Sequence, residues 1–495
     1  MSGGGLLQLV AYGSQDVYLT GNATVTFFKS VSRRHTAFAI ESIQQTINGT
    51  VDWNQRVTAT ISRNGDLMYG AMLEITVPTI AAGQDASWVS GLAYAILNVA
   101  ELDIGGQRID RITGQYLDMM QELSVKEEKQ AGLNKMVGRD WTGKDVFGLP
   151  SKIGGKKQPG KMYLPLDFFF AKSPNLALPI IALQYHEVKL TFTFAEAASC
   201  LRSYVTATAT APEGWGKYSS TLATTFGSAV SAKLDVALYI DYVFLDSDER
   251  RKFAQVSHEM LVTQVQHTGV ESLSVTGAGT TFKQRLNLNH PCKALIWTCA
   301  ADLSADLGTA TITMPARSLD AFDCSEYSGY DMATVEIATS SGPRTGFAQS
   351  THAYIVDDAH TLASTLDGLI TDYAAAAPGN NPIIEAKLTL NGHDRFSERE
   401  GTYFQYVQPY MHWPRVPTKP IMTYSFAISP ADQSPSGTAN FSRIDTAHLN
   451  LKFAATHTKL TGNSSKAVSR NFALYAINYN VLRILSGMGG LAFSN

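Results

Sequence analysis

Cysteine, charge and long apolar runs are all scarce in this chain. Its four cysteines, Cys200, Cys292, Cys299 and Cys324, are too few and too scattered for a disulfide-built scaffold. They read as small buried hydrophobes in a reducing compartment. Charged residues make up only 17% of the 495 positions, which is low for a free globular protein. Low charge suits a surface buried against neighbours, because interface cores are depleted in Lys, Glu and Asp; an enzyme with a large core would look the same. The formal net charge is −3, from 40 basic and 43 acidic side chains. Arg33-Arg34 and Lys156-Lys157 are pairs, not a polybasic arm. Direct coating of nucleic acid, which rests on phosphate neutralisation, is therefore not expected. Nothing approaches the about 18 apolar residues of a membrane span. The start, uncharged from Met1 to Gly5 and apolar only over Leu6–Val10, does not read as a secretory signal.

What is present is punctuation and alternation. Thirty-nine glycines and 18 prolines separate short runs of Val, Ile, Thr, Phe and Tyr, the pattern of an all-β protein. Leu73, Ile75 and Val77 alternate with polar neighbours, as do Val188, Leu190, Phe192 and Phe194, then Val236, Leu238 and Ile240. The habit continues at Phe472, Leu474, Ala476 and Asn478. Period-two patterning marks strands with one face on a core. Helical signals are few. Tyr116, Met119, Met120 and Leu123 share a helical face, Asp246–Phe253 opens on acidic residues, and a third helix is expected near Phe396–Tyr406, with Ser397 as its cap. Tyr204–Gly227 and Leu362–Asn381 read as loops.

A chain of this length exceeds one ordinary core, so two domains are expected. The Ser/Thr/Ala/Gly-rich stretch at Ser219–Lys233 is the natural boundary. The expected division is an arm at residues 1–25, a first sandwich at 26–225, a second at 226–485, and a tail at 486–495. Each half has the size of an eight-stranded jelly roll with long loops. No strict internal sequence repeat is visible.

Motifs for chemistry are weak. Gly155 to Lys161 has the G-x-x-x-x-G-K spacing of a phosphate loop, but Met162 stands where Ser or Thr must hold Mg²⁺. Pro159 also removes a backbone donor, so a basic turn is the better reading. His290, Cys292 and Cys299 match no paired zinc spacing. His186-Glu187 reads as a sheet pair, and Asp246, Asp248 and Glu249 as helix-opening residues and not a calcium loop. Sequons stand at Asn22, Asn48, Asn440 and Asn463. No catalytic residue, metal or cofactor is expected. Both ends mix glycine with apolar residues; such tails are liabilities in a monomer and are expected to order against neighbours.

Several blocks carry a family likeness. Gly3–Lys29 (GGGLLQLVAYGSQDVYLTGNATVTFFK) with Arg33-Arg34-His35-Thr36 resembles the N-terminus of major capsid proteins of nucleocytoplasmic large DNA viruses. The likeness recurs at Ile104–Gln107, Leu164–Leu166, Leu176–Val188, Asp241–Asp246 with Glu249–Ala254, Asn391–Phe396, Val407–Tyr410, Pro435–Asp445 and Asn478–Asn495. Residues 127–160, 195–230, 300–345 and 355–382 are individual to this sequence.

The resemblance implies two tandem eight-stranded jelly rolls with a few short inserted helices. It implies a homotrimer of pseudo-hexagonal outline that tiles an icosahedral shell outside an inner membrane, with minor capsid and penton proteins as partners. The protein would be made in host cytoplasm and end in the virion. Leu6, Leu9, Val10 and Tyr12 are the expected base contacts; Asp394, Arg395, Arg443 and Asp445 are the expected loop-holding polar residues. Two other classes compete: a β-sandwich glycoside hydrolase, which needs two carboxylates in a cleft, and a carbohydrate-binding or attachment module.

Overall fold

The computed structural model describes residues 4–30, 32, 34–78, 86–139, 160–205, 214–217, 233–275, 280–301, 322, 335–339, 342–346, 381–453 and 468–493. The Lys156-Lys157 pair, most of the phosphate-loop spacing, Cys324, Asn463 and most of the two expected loops lie outside them. The chain divides into two compact units, Met1–Phe38 and Ala39–Asn495. In the first, a short helix α1 (Gly4–Val10) is exposed along its length.

The second unit contains one strand order twice. Besides shorter strands, eight build its first half: β1 (Phe38–Gln45), β2 (Arg56–Thr60), β3 (Leu67–Thr76), β4 (Leu97–Ile104), β5 (Gln107–Thr113), β6 (Lys161–Pro165), β7 (Val188–Phe194) and β8 (Asp235–Leu245). They form two sheets, β1-β8-β3-β6 and β2-β7-β4-β5. Eight likewise build the second: β9 (His258–Val275), β10 (Thr281–Arg285), β11 (Pro291–Ala301), β12 (Ile383–Leu390), β13 (His393–Glu400), β14 (Met422–Ser425), β15 (Ala447–Phe453) and β16 (Val468–Leu485). They form β9-β16-β11-β14 and β10-β15-β12-β13. Each set is a jelly roll: first strand beside last, second beside seventh.

The alternation read from the sequence is what closes each sandwich. Leu73 stands opposite Leu238, and Phe192 opposite both Val57 and Ala100, all buried in the first core. In the second roll Trp297 faces Leu474 and Met422, and Leu449 faces Leu388. Their inner faces exclude water, and the loops are left at the ends.

Four expectations change. Strand β8 hydrogen-bonds β3 from Val236 to Val243, so the first roll runs through Leu245 and a boundary at 225/226 cuts off its last strand. The connection between the rolls is the helix Ser247–Gln255. Phe396 and Ser397 lie in strand β13, not in a helix. The cause is the Asn391-Gly392 turn, with φ of 49° and 82°, which folds β13 back on β12 as a hairpin. His186-Glu187 precedes β7 and does not lie within it. Finally, the C-terminal residues order against this same chain. Met488–Leu491 pairs with β16, Tyr185 N–H donates to Gly487 C=O (3.0 Å), and Leu491 N–H donates to Gln107 Oε1 (3.1 Å). A second-roll segment thereby straps the Tyr185 loop and the start of β5. Glycine is required at Gly487, whose φ of +80° lies where L side chains rarely go.

In both rolls the connection from fifth to sixth strand carries helix. In the first roll this is α2 (Gly114–Ser124) and α3 (Glu127–Met136). Between the rolls stands α4 (Ser247–Gln255), and in the second roll a π-turn at Tyr403–Val407 leads into α5 (Gln408–His412). Helix α2 starts where Thr113 Oγ1 accepts from Tyr116 N–H (3.2 Å), and it buries Tyr116, Leu117, Met119, Met120 and Leu123. Helix α4 is mostly polar, packs Phe253 against the Leu67–Ala177–Val243 cluster, and is anchored by Arg250 Nε to Asp66 Oδ1 (2.9 Å). Asp246 sits at its cap position without a side-chain capping bond.

Candidate assembly surfaces

The residues that suggested chemistry are occupied structurally. Lys161 begins β6 and its Nζ lies 2.6 Å from Glu74 Oε1 on the neighbouring strand. Burial pushes the Cys292 and Cys299 thiols up to about 12, which keeps them protonated and unreactive. His290 has φ +63° at the entrance to β11, and its N–H donates to Ser442 Oγ (2.8 Å). His186 Nδ1 lies 2.9 Å from Gly489 C=O, within the C-terminal strap. Among the described residues no three of His, Cys, Asp and Glu converge as a metal site. None of the described helices is long and apolar enough to cross a membrane.

The principal built feature is the seam between the rolls. Strand β16 is buried on both faces: Phe472, Leu474 and Ala476 enter the second core, while Ala473, Tyr475 and Ile477 join the first. Strand β11 divides the same way, with Ala294 and Ile296 turned to the first core. Roll one meets this face with β5 and α2. Tyr475 OH is bonded with Thr113 Oγ1 (2.8 Å) and donates to Gln115 Oε1 (3.3 Å), and its ring is 5.6 Å from that of Tyr116. Gln264 bonds Ile109 C=O, and Val265 N–H donates to Asp110 Oδ1 (3.0 Å). These bonds fix the register of one roll on the other.

Charge closes the end of the seam. Arg139 pairs with both Asp118 and Glu122 of α2, all three nearly buried. From the second roll Lys419 Nζ reaches Asp118 (2.8 Å), and Arg415 reaches Glu122 (3.4 Å) and Glu127 (2.9 Å). Three acids and three bases thus converge, and neither roll satisfies the cluster alone. Two further ionisable groups, Asp110 and Lys293, are buried at the seam. Burial pushes Asp110 up to about 6. Burial, then repulsion from Lys172, pulls Lys293 down to about 7; its Nζ lies 5.2 Å from the Tyr479 ring centre.

The outer surface is apolar in separate places. Leu6, Leu9, Val10 and Tyr12 are all exposed, Leu9 by 80%. Of the expected polar residues, Asp394 pairs with Lys387 across the β12–β13 hairpin (2.9 Å), and the Arg395 guanidinium lies 5.9 Å from the Tyr424 ring centre. Arg443 and Asp445 are exposed, and among the described residues they form no ion pair. The sequence reading missed two sets. The seam residues Asp110, Lys293, Arg139 and Lys419 carry no motif, since their meeting depends on the fold. The exposed group Tyr410, Met411 and Ile428 (81%, 62% and 73%) was within reach, because apolar residues beside Pro409 on a short helix break the polar-surface rule.

Such a molecule is built to hold two sandwiches rigidly together and to present apolar surface to others. Comparison with known proteins agrees. Residues 26–246 match the major capsid protein N-terminus family, and residues 249–490 match the large eukaryotic DNA virus major capsid proteins. The major capsid protein of Phaeocystis pouchetii virus is 41% identical, over 99% of this chain and 100% of that one. That of Chrysochromulina ericina virus is 36% identical over 100% of both. The solved PBCV-1 virus capsid superposes with a TM-score of 0.67 at 33% identity, covering 95% of this chain and 100% of that one. With the same doubled sandwich and near-full coverage, this chain belongs to the family of large eukaryotic DNA virus major capsid proteins, the structural proteins of the shell.

Proposed function

We propose that three copies of this chain form a pseudo-hexagonal homotrimeric capsomer, and that these capsomers tile an icosahedral shell. The observation that supports this reading most is the doubled strand order within one compact unit. Two equivalent sandwiches per chain give a three-chain ring six similar corners, a closed form for an otherwise open head-to-tail contact. Minor capsid and penton proteins are the further partners, reached through the exposed Leu6, Leu9, Val10 and Tyr12 of the arm. The near-neutral charge favours protein–protein cohesion over direct genome contact, with an inner membrane close by and not entered. The working division is an arm ahead of β1, a roll from β1 to β8, a roll from β9 to β16, and the C-terminal strap. Synthesis in host cytoplasm completes the reading.

Sedimentation of the purified chain tests it: the expected species has three times the chain mass and a six-sided outline in negative stain. A chain that remains monomeric at all accessible concentrations overturns it.

A further inference from the structure

The internal repeat leaves one plug and one socket unused. In the first roll the plug is the helix after the fifth strand, α2, and it is covered: it packs on the outer face of the second roll's β9-β16-β11-β14 sheet. In the second roll the corresponding plug is the π-turn and α5, and its apolar residues Tyr410 and Met411, with the neighbouring Ile428, face solvent. The two segments are tied, since His412 Nδ1 lies 2.9 Å from Ile428 C=O.

The sockets show the same asymmetry. The outer face of the second roll's sheet is filled by Ala473, Tyr475 and Ile477 beneath the first roll. The equivalent outer face of the first roll, on β8-β3-β6, is only half-buried. There Tyr239 stands opposite Met72, and Met72 opposite Pro165, with Tyr163 opposite Glu74 one step along. It is a mixed face, with Met72, Pro165, Tyr163 and Tyr239 beside the Lys161–Glu74 pair, Thr76, Asp235 and Asp241.

We propose that the α5 plug of one chain, centred on Tyr410 and Met411, docks on the Met72–Tyr163–Tyr239 face of a second copy. This repeats between chains the contact that α2 makes within one. The occupant is a second copy because the matching, already satisfied pair of surfaces exists in this same chain. The contact is heterologous, plug to socket, so it closes only as a ring. The assignment rests on the trimer reading and names the surfaces that build it.

Two measurements on the full chain decide it. The double variant Tyr410→Asp with Met411→Asp changes only exposed side chains, so its thermal unfolding should match the wild type. Its trimer should dissociate about 30-fold or more readily in sedimentation velocity, the effect of losing an apolar anchor. In a second chain, Met411→Cys combined with Tyr239→Cys should be linked into a covalent trimer by a short bismaleimide, while either single variant stays unlinked. This arm holds even if the aspartates disturb folding. A wild-type trimer that survives both aspartates, or a double-cysteine chain that does not cross-link within it, overturns the plug assignment and leaves the trimer reading intact. A wild type that never trimerises overturns both.

Discussion

The insertions after the fifth strand of each roll occupy the same place in the topology and have opposite characters. The first-roll insertion is two helices, capped by Thr113, buried, and clasped by Arg415 and Lys419 from the other roll. The second-roll insertion is a π-turn and five helical residues with exposed Tyr410 and Met411 and no side-chain cap. The difference teaches that the fold sets where an insertion goes, and its neighbour sets what it is made of. A helix with a partner inside the chain carries charges whose mates lie across the seam; a helix without one keeps plain apolar surface.

The largest expected effect tests the clasp. Arg139→Met should cost about 3–5 kcal/mol of stability in denaturant unfolding, because Asp118 and Glu122 lose a shared partner while nearly buried. Arg483→Met is the control. Arg483 and Glu259 form an ion pair at 2.9 Å, but both side chains are more than half exposed, and its midpoint should stay unmoved. Equal losses from the two variants would mean the clasp is an ordinary surface pair and the contrast between insertions is illusory.

That contrast also marks what sequence could show. Period two sufficed for Leu73, Val188, Leu238 and their neighbours, because a jelly-roll core asks only for an apolar residue at every second position. The same tolerance hides the repeat: two cores of one topology need no shared residues, so the halves match in strand order and not in letters. Strand β16 shows where patterning yields to context. Phe472, Leu474 and Ala476 were visible as a core face, yet Ala473, Tyr475 and Ile477 are equally buried, since a second roll lies on the other side. A continuous apolar run signals a strand covered on both faces. The Asn391-Gly392 turn was legible too, and reading it would have kept Ser397 in a strand. Asp110 and Lys293 were not legible, because burial at the seam follows from docking two rolls.

An intermediate effect uses that burial. Asp110, raised from 3.8 to about 6, keeps its proton longer in the folded chain than in the unfolded one. Stability should therefore fall as pH rises from about 4 to 6. Lys293, lowered from 10.5 to about 7, gives up its proton earlier when folded, so stability should rise again from about 7 to 10.5. Asp110→Asn preserves an acceptor for the Val265 and Arg111 N–H groups and should gain about 1–3 kcal/mol at pH 7, flattening the lower limb. Lys293→Met should flatten the upper limb. The readout is the unfolding midpoint across pH. A wild-type profile without a minimum near 6–7 would show that the seam admits water, and the two insertions would then differ less in environment than their burial indicates.

The smallest effect separates the two insertions at their first residue. Thr113 Oγ1 caps α2 through Tyr116 N–H and also meets Tyr475 OH, so one hydroxyl starts the helix and joins the rolls. Thr402 holds the corresponding place before the π-turn, but its side chain caps nothing and instead donates to Glu400 Oε2 at 3.3 Å. Thr113→Ala should cost about 1–2 kcal/mol, the usual loss of a cap plus a buried hydroxyl partner. Thr113→Ser should recover most of it, because the oxygen returns and only a methyl is missing. Thr402→Ala should leave stability within about 0.5 kcal/mol, as expected for a surface change that removes no defined packing or cap. If Thr402→Ala proved as costly as Thr113→Ala, the second insertion would be held by an internal cap after all, and its exposed residues would be less free to serve a neighbouring chain.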